Sequence, residues 1–224
     1  MSVAENIRIL DAQLPPNVEL VAVSKFHPAE MILEAYGAGQ RRFGESRVQE
    51  FLLKQAGLPS DILWHFIGHL QTNKVRQIIG KTALIESVDS DRLISLIDEE
   101  SMKAGIVTEL LLQVHVAAEE TKFGFLPGEL IDFFENGRHK QLKAVKIRGL
   151  MGMATNTDDE KKIRDDFRKI HSLYLKIKEL YSLPDFNRLS MGMSSDWPIA
   201  VDEGADIIRV GSAIFGNRDY SAKH

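Results

Sequence analysis

No cysteine occurs among the 224 residues. That removes disulfide frameworks, thiolate metal sites and cysteine nucleophiles together, and makes a reducing cytoplasm the expected setting. Long apolar runs are missing too: no stretch approaches the roughly eighteen residues that a membrane span needs, so no membrane role is expected. The opening segment MSVAENIRILDAQL lacks the continuous apolar core of a signal peptide. Its Val3, Ile7, Leu10 and Leu14 form one stripe broken by charges, which predicts an N-terminal helix over 1–14 packed on the rest of the chain. Positive charge is not in excess. With 28 Lys and Arg against 32 Asp and Glu, the formal charge of −4 argues against a general nucleic-acid binder, because phosphate-backbone affinity rests on clustered cations.

What is present is an ordinary globular balance, 44% hydrophobic and 27% charged, enough for a sizeable core without metals or staples. Short β-rich runs alternate with helix-like stretches from end to end, with no linker between them. The strand candidates are 19–25, 41–45, 62–68, 84–89, 108–116, 143–153, 188–193 and 206–212. Among the intervening segments, 159–181 carries Ile163, Phe167, Ile170, Tyr174, Ile177 and Tyr181 at helical spacing on a charged background, the pattern of one amphipathic outer helix. Eight β-units with strands apolar on both faces predict an α/β fold, a single (β/α)8 TIM-type barrel spanning 1–224. Pattern alone also permits an open doubly wound sheet.

In such a barrel functional residues sit where strands end and βα loops begin. The first exit carries Lys25. A barrel interior there would desolvate its ammonium and lower its pKa, and a neutral amine attacks carbonyls, as in a Schiff-base lysine. A lysine that snorkels to the rim and pairs with Glu45 or another carboxylate satisfies the same position. At the other end of the chain, MSSDW and RVGSAIFG close strands seven and eight with hydroxyls and backbone N–H groups at Ser194, Ser195, Gly211 and Ser212, a chemistry suited to a phosphate dianion. Helix capping explains Ser195 and Ser212 equally well. Arg209 stands inside an otherwise apolar strand and must find an acceptor: Asp206, a carboxylate on a neighbouring strand, or a ligand. LMGMATNTDD and SMGMSSDWP echo one another, as an old duplication would or as shared turn chemistry would.

Taken together, AVSK, RFGESRVQE, WHFIGHLQTNK, GLMGM, LSMGMSSDWPIAVDEGAD and IRVGSAIFG resemble the YggS/PROSC family of pyridoxal phosphate homeostasis proteins, over about residues 20 to 216. The resemblance implies a barrel like the N-terminal domain of alanine racemase, with an extra N-terminal helix. It also implies pyridoxal 5′-phosphate (PLP) held as a Schiff base on Lys25, its phosphate in the Ser194-Ser195 and Gly211-Ser212 loops and its pyridine nitrogen against Arg209. Ser46, His69 and Met191 fall in the implied surroundings of the cofactor, and Lys122 matches a lysine common in the family. The family commonly reads FGENYVQE, so Ser46 and Arg47 replace an Asn-Tyr pair here, and Ser212 replaces a threonine but keeps the hydroxyl.

The implied role is intracellular PLP (vitamin B6) and amino-acid homeostasis without strong catalysis, with PLP-dependent apoenzymes as recipients and a monomer as the default state. An arginine beside the pyridine nitrogen leaves the ring a weak electron sink. Full alanine racemases add a β-rich domain supplying a second proton-transfer tyrosine, and this sequence ends at residue 224, so a poor racemase is expected. The rival reading is a Schiff-base enzyme, either a low-efficiency racemase or a barrel aldolase. His65 and His69 have helical zinc-motif spacing but lie in a strand-like run, where four residues separate them too far, and no metal is expected.

Overall fold

A computed structural model of the chain describes residues 1–117 and 123–216. Strands β1 (Glu19–Val23), β2 (Arg42–Glu45), β3 (Leu63–Phe66), β4 (Leu84–Val88), β5 (Thr108–Val114), β6 (Val145–Gly152), β7 (Arg188–Ser190) and β8 (Ile207–Val210) pair in parallel in chain order. The last returns to the first, with Ala22 in register with Val210, and closes the barrel. The expected (β/α)8 fold is therefore what the chain forms, and each of the eight strand candidates contains one strand.

Helices follow at α1 (Val3–Gln13), α2 (Ala29–Gly37), α3 (Val48–Gly57), α4 (Val75–Ile78), α5 (Asp91–Ala104), α6 (Pro127–Glu135), α7 (Glu160–Leu180), α8 (Trp197–Asp202) and α9 (Ser212–Phe215). The stripe read at the start becomes α1, closed by a Ser2–Glu5 capping box and burying Val3, Ile7 and Leu10. Its Asn6 Nδ2 donates to Ile214 O at 2.8 Å, so α1 braces the short α9. The 159–181 pattern becomes α7, started by Asp159, whose side chain accepts from Lys161 N and Lys162 N.

Strand alternation divides the core. Val21, Leu84, Leu111, Met151 and Ile207 fill the barrel interior, while alternate neighbours such as Ala22, Ile85 and Leu110 pack under the helices in the larger cluster. Two strands are shorter than the apolar pattern suggests. β1 ends at Val23, so Lys25 lies in a turn, and β7 ends at Ser190 because the chain bends at Gly192. That glycine has φ 89°, and a Cβ there would lie 2.9 Å from Trp197 Cα and 2.7 Å from Ala200 Cβ.

Candidate functional site

Lys25 is half-buried at the carboxyl end of β1, two residues past Val23. Val21 faces the barrel interior, and the period of two carries that face through Val23 toward Lys25. Phe26, the next residue, has φ 67°, an outlier for a bulky side chain. The Arg47 guanidinium lies 4.6 Å from the centre of the Phe26 ring, so one of the two residues that depart from the family pattern stacks beside the lysine turn. The other, Ser46, packs its backbone against Gly68, where an added Cβ would come within 2.3 Å of Ser46 O. His69 turns toward the exit of β4: its Nδ1 is 2.9 Å from Asp89 Oδ2 and its ring stacks on Phe123 at 3.8 Å.

Barrel closure sets the β8 exit beside the lysine turn. A Cβ on Gly211 would sit 3.2 Å from Val23 O, so the glycine allows the β8 loop to lie against the end of β1. Gly211 N donates to Ser194 Oγ at 3.1 Å, which joins the β7 and β8 loops into one rim. The capping explanation for the other two serines does not hold. The residue before α8 is Asp196 and the residue before α9 is Gly211, neither cap uses a side-chain hydrogen bond, and Ser195 and Ser212 are exposed. Met191 is a correction: one residue out of phase with Ser190, it is wholly buried in the apolar layer under the helices, so it packs the core and presents no surface to the mouth.

Arg209 is buried inside the barrel, and its partner is not Asp206. Its Nη1 donates to Ser190 Oγ and its Nη2 to Gly152 O at 3.0 Å. Ser190 Oγ donates in turn to Glu86 Oε2 at 2.6 Å, and His65 Nδ1 lies 2.6 Å from Glu86 Oε1. The Glu86 carboxylate is 3.7 Å from Arg209 Nη1, reaching it across the barrel from β4. Burial pushes the Glu86 carboxyl up, but His65, Arg209 and Ser190 together hold it below the ordinary value. Burial pushes the Arg209 guanidinium down, opposed by Glu86 and Asp196. Two of the five guanidinium N–H donors are used in this network, and Nε makes no hydrogen bond to a described residue. Asp206 instead accepts from Leu189 N at 2.9 Å, and burial pushes it up to about 6.

His65, Glu86 and Ser190 escaped the reading of strand exits because they sit in mid-strand. The signal was present nonetheless: each is a polar side chain at a period-two position of an apolar strand, the criterion that picked out Arg209. A second polar group lies outside the sheet, under α3, where Lys54 joins Glu45, Glu50 and the Ser24 carbonyl. Glu45, considered as a partner for Lys25, has Lys54 and Ser24 as its partners.

The remaining signals resolve locally. His65 and His69 part company into the interior and the rim, and among the described residues no three His, Asp or Glu side chains gather as a metal site. His27 stacks on Phe215 at 5.1 Å. The two Met-Gly-Met echoes take different conformations, since Gly192 has positive φ while Gly152 ends a strand and offers its carbonyl to Arg209. Lys122 lies outside the described residues.

Comparison with known proteins agrees with this geometry. The family described as alanine racemase, N-terminal domain, matches residues 1–219. A pyridoxal phosphate homeostasis protein of Aquifex aeolicus is 41% identical over 203 residues, covering 90% of this chain and 88% of that protein. The Homo sapiens protein of the same name is 39% identical over 235 residues, covering 99% and 83%. Among solved structures, PipY of Synechococcus elongatus with PLP bound superposes with a TM-score of 0.89 at 42% identity, over 96% of this chain and all of that one. An alanine racemase of Clostridium difficile shares the fold, with a TM-score of 0.80 at 14% identity over 96% of this chain and 56% of the enzyme.

Proposed function

The chain belongs to the pyridoxal phosphate homeostasis protein family, and from that premise we propose that it holds PLP at the carboxyl-end mouth of the barrel, through a Schiff base to Lys25. The observation that carries this is the rim made by barrel closure, where Gly211 lies against Val23 at the end of the strand that leads into Lys25 and is bonded to Ser194. The donor set fits such a ligand. Ser195 and Ser212 have exposed hydroxyls that bond no described residue, beside backbone N–H groups suited to a phosphate dianion. Arg209 retains an Nε donor for a ring nitrogen that stays unprotonated. Bound there, the cofactor would supply an aldehyde to the lysine amine, with loss of water, and a pyridine ring as a weak electron sink.

This chain's own residues favour holding over catalysis. Glu86 faces Arg209 with the opposite charge across the barrel, so the group offered to the ring nitrogen is a cation that leaves it unprotonated. The described tyrosines are committed elsewhere: Tyr36 to Asp61, Tyr174 to Phe186 O, and Tyr181 in a stack on Phe134. We therefore read the protein as a cytoplasmic reservoir of PLP in vitamin B6 and amino-acid homeostasis, passing the cofactor to PLP-dependent apoenzymes. The test is spectroscopic. Purified protein mixed with PLP should keep a visible absorbance band through desalting, borohydride should fix the adduct on the Lys25 peptide, and Lys25→Ala should lose both. A colourless wild-type protein would refute the reading. Amino-acid racemisation should fall far below the roughly 1–10³ s⁻¹ of ordinary enzymes.

A further inference from the structure

The polar cluster under α3 has no part in the site described above, yet it grips the backbone on both sides of Lys25. Lys54 Nζ, on α3, donates to Ser24 O at 2.8 Å, to Glu45 Oε1 at 2.7 Å and to Glu50 Oε1 at 2.6 Å. The same Glu50 oxygen accepts from Phe26 N at 2.6 Å. Ser24 Oγ donates to Glu45 Oε1 at 2.6 Å. The carbonyl before Lys25 and the N–H after it are thus held by one ion-paired unit on a neighbouring helix. The Lys54 side chain is only 9% exposed and Glu45 is fully buried, so these bonds form where water competes poorly.

We propose that Lys54 and Glu50, seated on Glu45, are positioning residues that hold the Lys25 turn in the one backbone conformation that aims its amine at the PLP site. The inference rests on the PLP reading given above. Phe26 is the element that needs holding. At φ 67° a phenylalanine is strained and persists there only where surrounding contacts over-determine it. The Glu50 bond to Phe26 N and the Arg47 stack on its ring are such contacts. Without the clamp, Phe26 relaxes toward negative φ and turns the preceding residue away from the mouth. A purely structural ion pair has no reason to engage both peptide groups that flank Lys25.

Glu45 seats the clamp. Burial pushes its carboxyl up to about 7 against the pull of Lys54, with Glu50 adding to the rise. Its Oε2 is buried with no hydrogen-bond partner, a place for the proton that the acid form carries. Near neutral pH Glu45 therefore divides between its acid and carboxylate forms, while Glu50 is the residue that also holds Phe26 N.

The experiment compares two ligands on folded variants. PLP reports the lysine linkage together with the rest of the site, whereas pyridoxamine 5′-phosphate, which has no aldehyde, reports the phosphate loops and Arg209 alone. If clamp loss leaves about a tenth of molecules with the turn correctly set, Glu50→Ala and Lys54→Met should bind PLP about tenfold more weakly, while affinity for pyridoxamine 5′-phosphate changes by less than about twofold. Glu50→Gln, which keeps an acceptor for Phe26 N, should recover most of the loss. Lys54→Met carries the comparison if Glu50→Ala does not fold. Amide exchange at Phe26 should quicken in the alanine variant. Unchanged PLP affinity in the folded variants, or an equal fall for both ligands, overturns the clamp. Wild-type protein and Lys25→Ala run alongside separate that failure from failure of the PLP reading, which would show as a wild type without the visible band.

Discussion

At the scale of single residues, the protein solves two cation problems in opposite ways. Arg209 lies in the interior, where an unpaired guanidinium is untenable, and Glu86 answers it from across the barrel while His65 and Ser190 complete the carboxylate's hydrogen bonds. Glu86→Gln keeps the shape and removes the charge. It should destabilise the protein by about 3 kcal/mol or more in urea unfolding, because a buried cation is left without its counter-charge. A loss under about 0.5 kcal/mol would mean that Arg209 does not depend on Glu86. Lys54, by contrast, is a lysine buried in order to organise the backbone around another lysine.

Among the elements, α7 shows how an outer helix governs a loop at the mouth. Asp166 on α7 accepts from Thr155 N at 3.1 Å and Thr155 Oγ1 at 2.6 Å, and pairs with Lys162 at 2.7 Å, so the loop after β6 is tied to the helix rather than left to itself. Burial pushes Asp166 up, but Lys162 and Thr155 outweigh it and bring the carboxyl down to about 2 from an ordinary value of 3.8. A depressed acid binds fewer protons in the folded than in the unfolded state. Its contribution is therefore present above about pH 4 and is lost as the pH falls toward 2. Asp166→Asn should lower stability by about 1–3 kcal/mol at pH 7 and shrink the difference from wild type below pH 3; equal differences at both pH values would count against this account.

For the whole molecule, the closed barrel makes ligand and fold mutually stabilising. A ligand held by loops from β1, β7 and β8 bridges the seam where the chain's two ends meet. PLP at a hundred times its dissociation constant should add about 2.7 kcal/mol to unfolding and raise Tm accordingly, and Lys25→Ala should show a smaller rise from the phosphate loops alone. A Tm indifferent to PLP would mean that the folded protein does not bind it preferentially.

The fold class was legible from sequence because strand exits and apolar alternation are local patterns, and eight repeats of them leave few architectures. Lys25 and the Ser-Gly loops could be singled out as candidates because their residue types are costly or unusual at strand ends. Other features waited for the tertiary structure. Barrel closure brings the end of β1 at Val23 against Gly211, nearly the whole chain away, and only a closed sheet makes β1 and β8 neighbours. The partner of Arg209 lies across the interior, at a separation that no period in the sequence encodes. Met191 and Glu45 were placed by single-residue phase, since one step along a strand exchanges the mouth for the helix layer. Sequence singled out the candidate groups through their chemistry, and folding chose their neighbours, because contact across a closed barrel is fixed by three-dimensional closure and not by spacing along the chain.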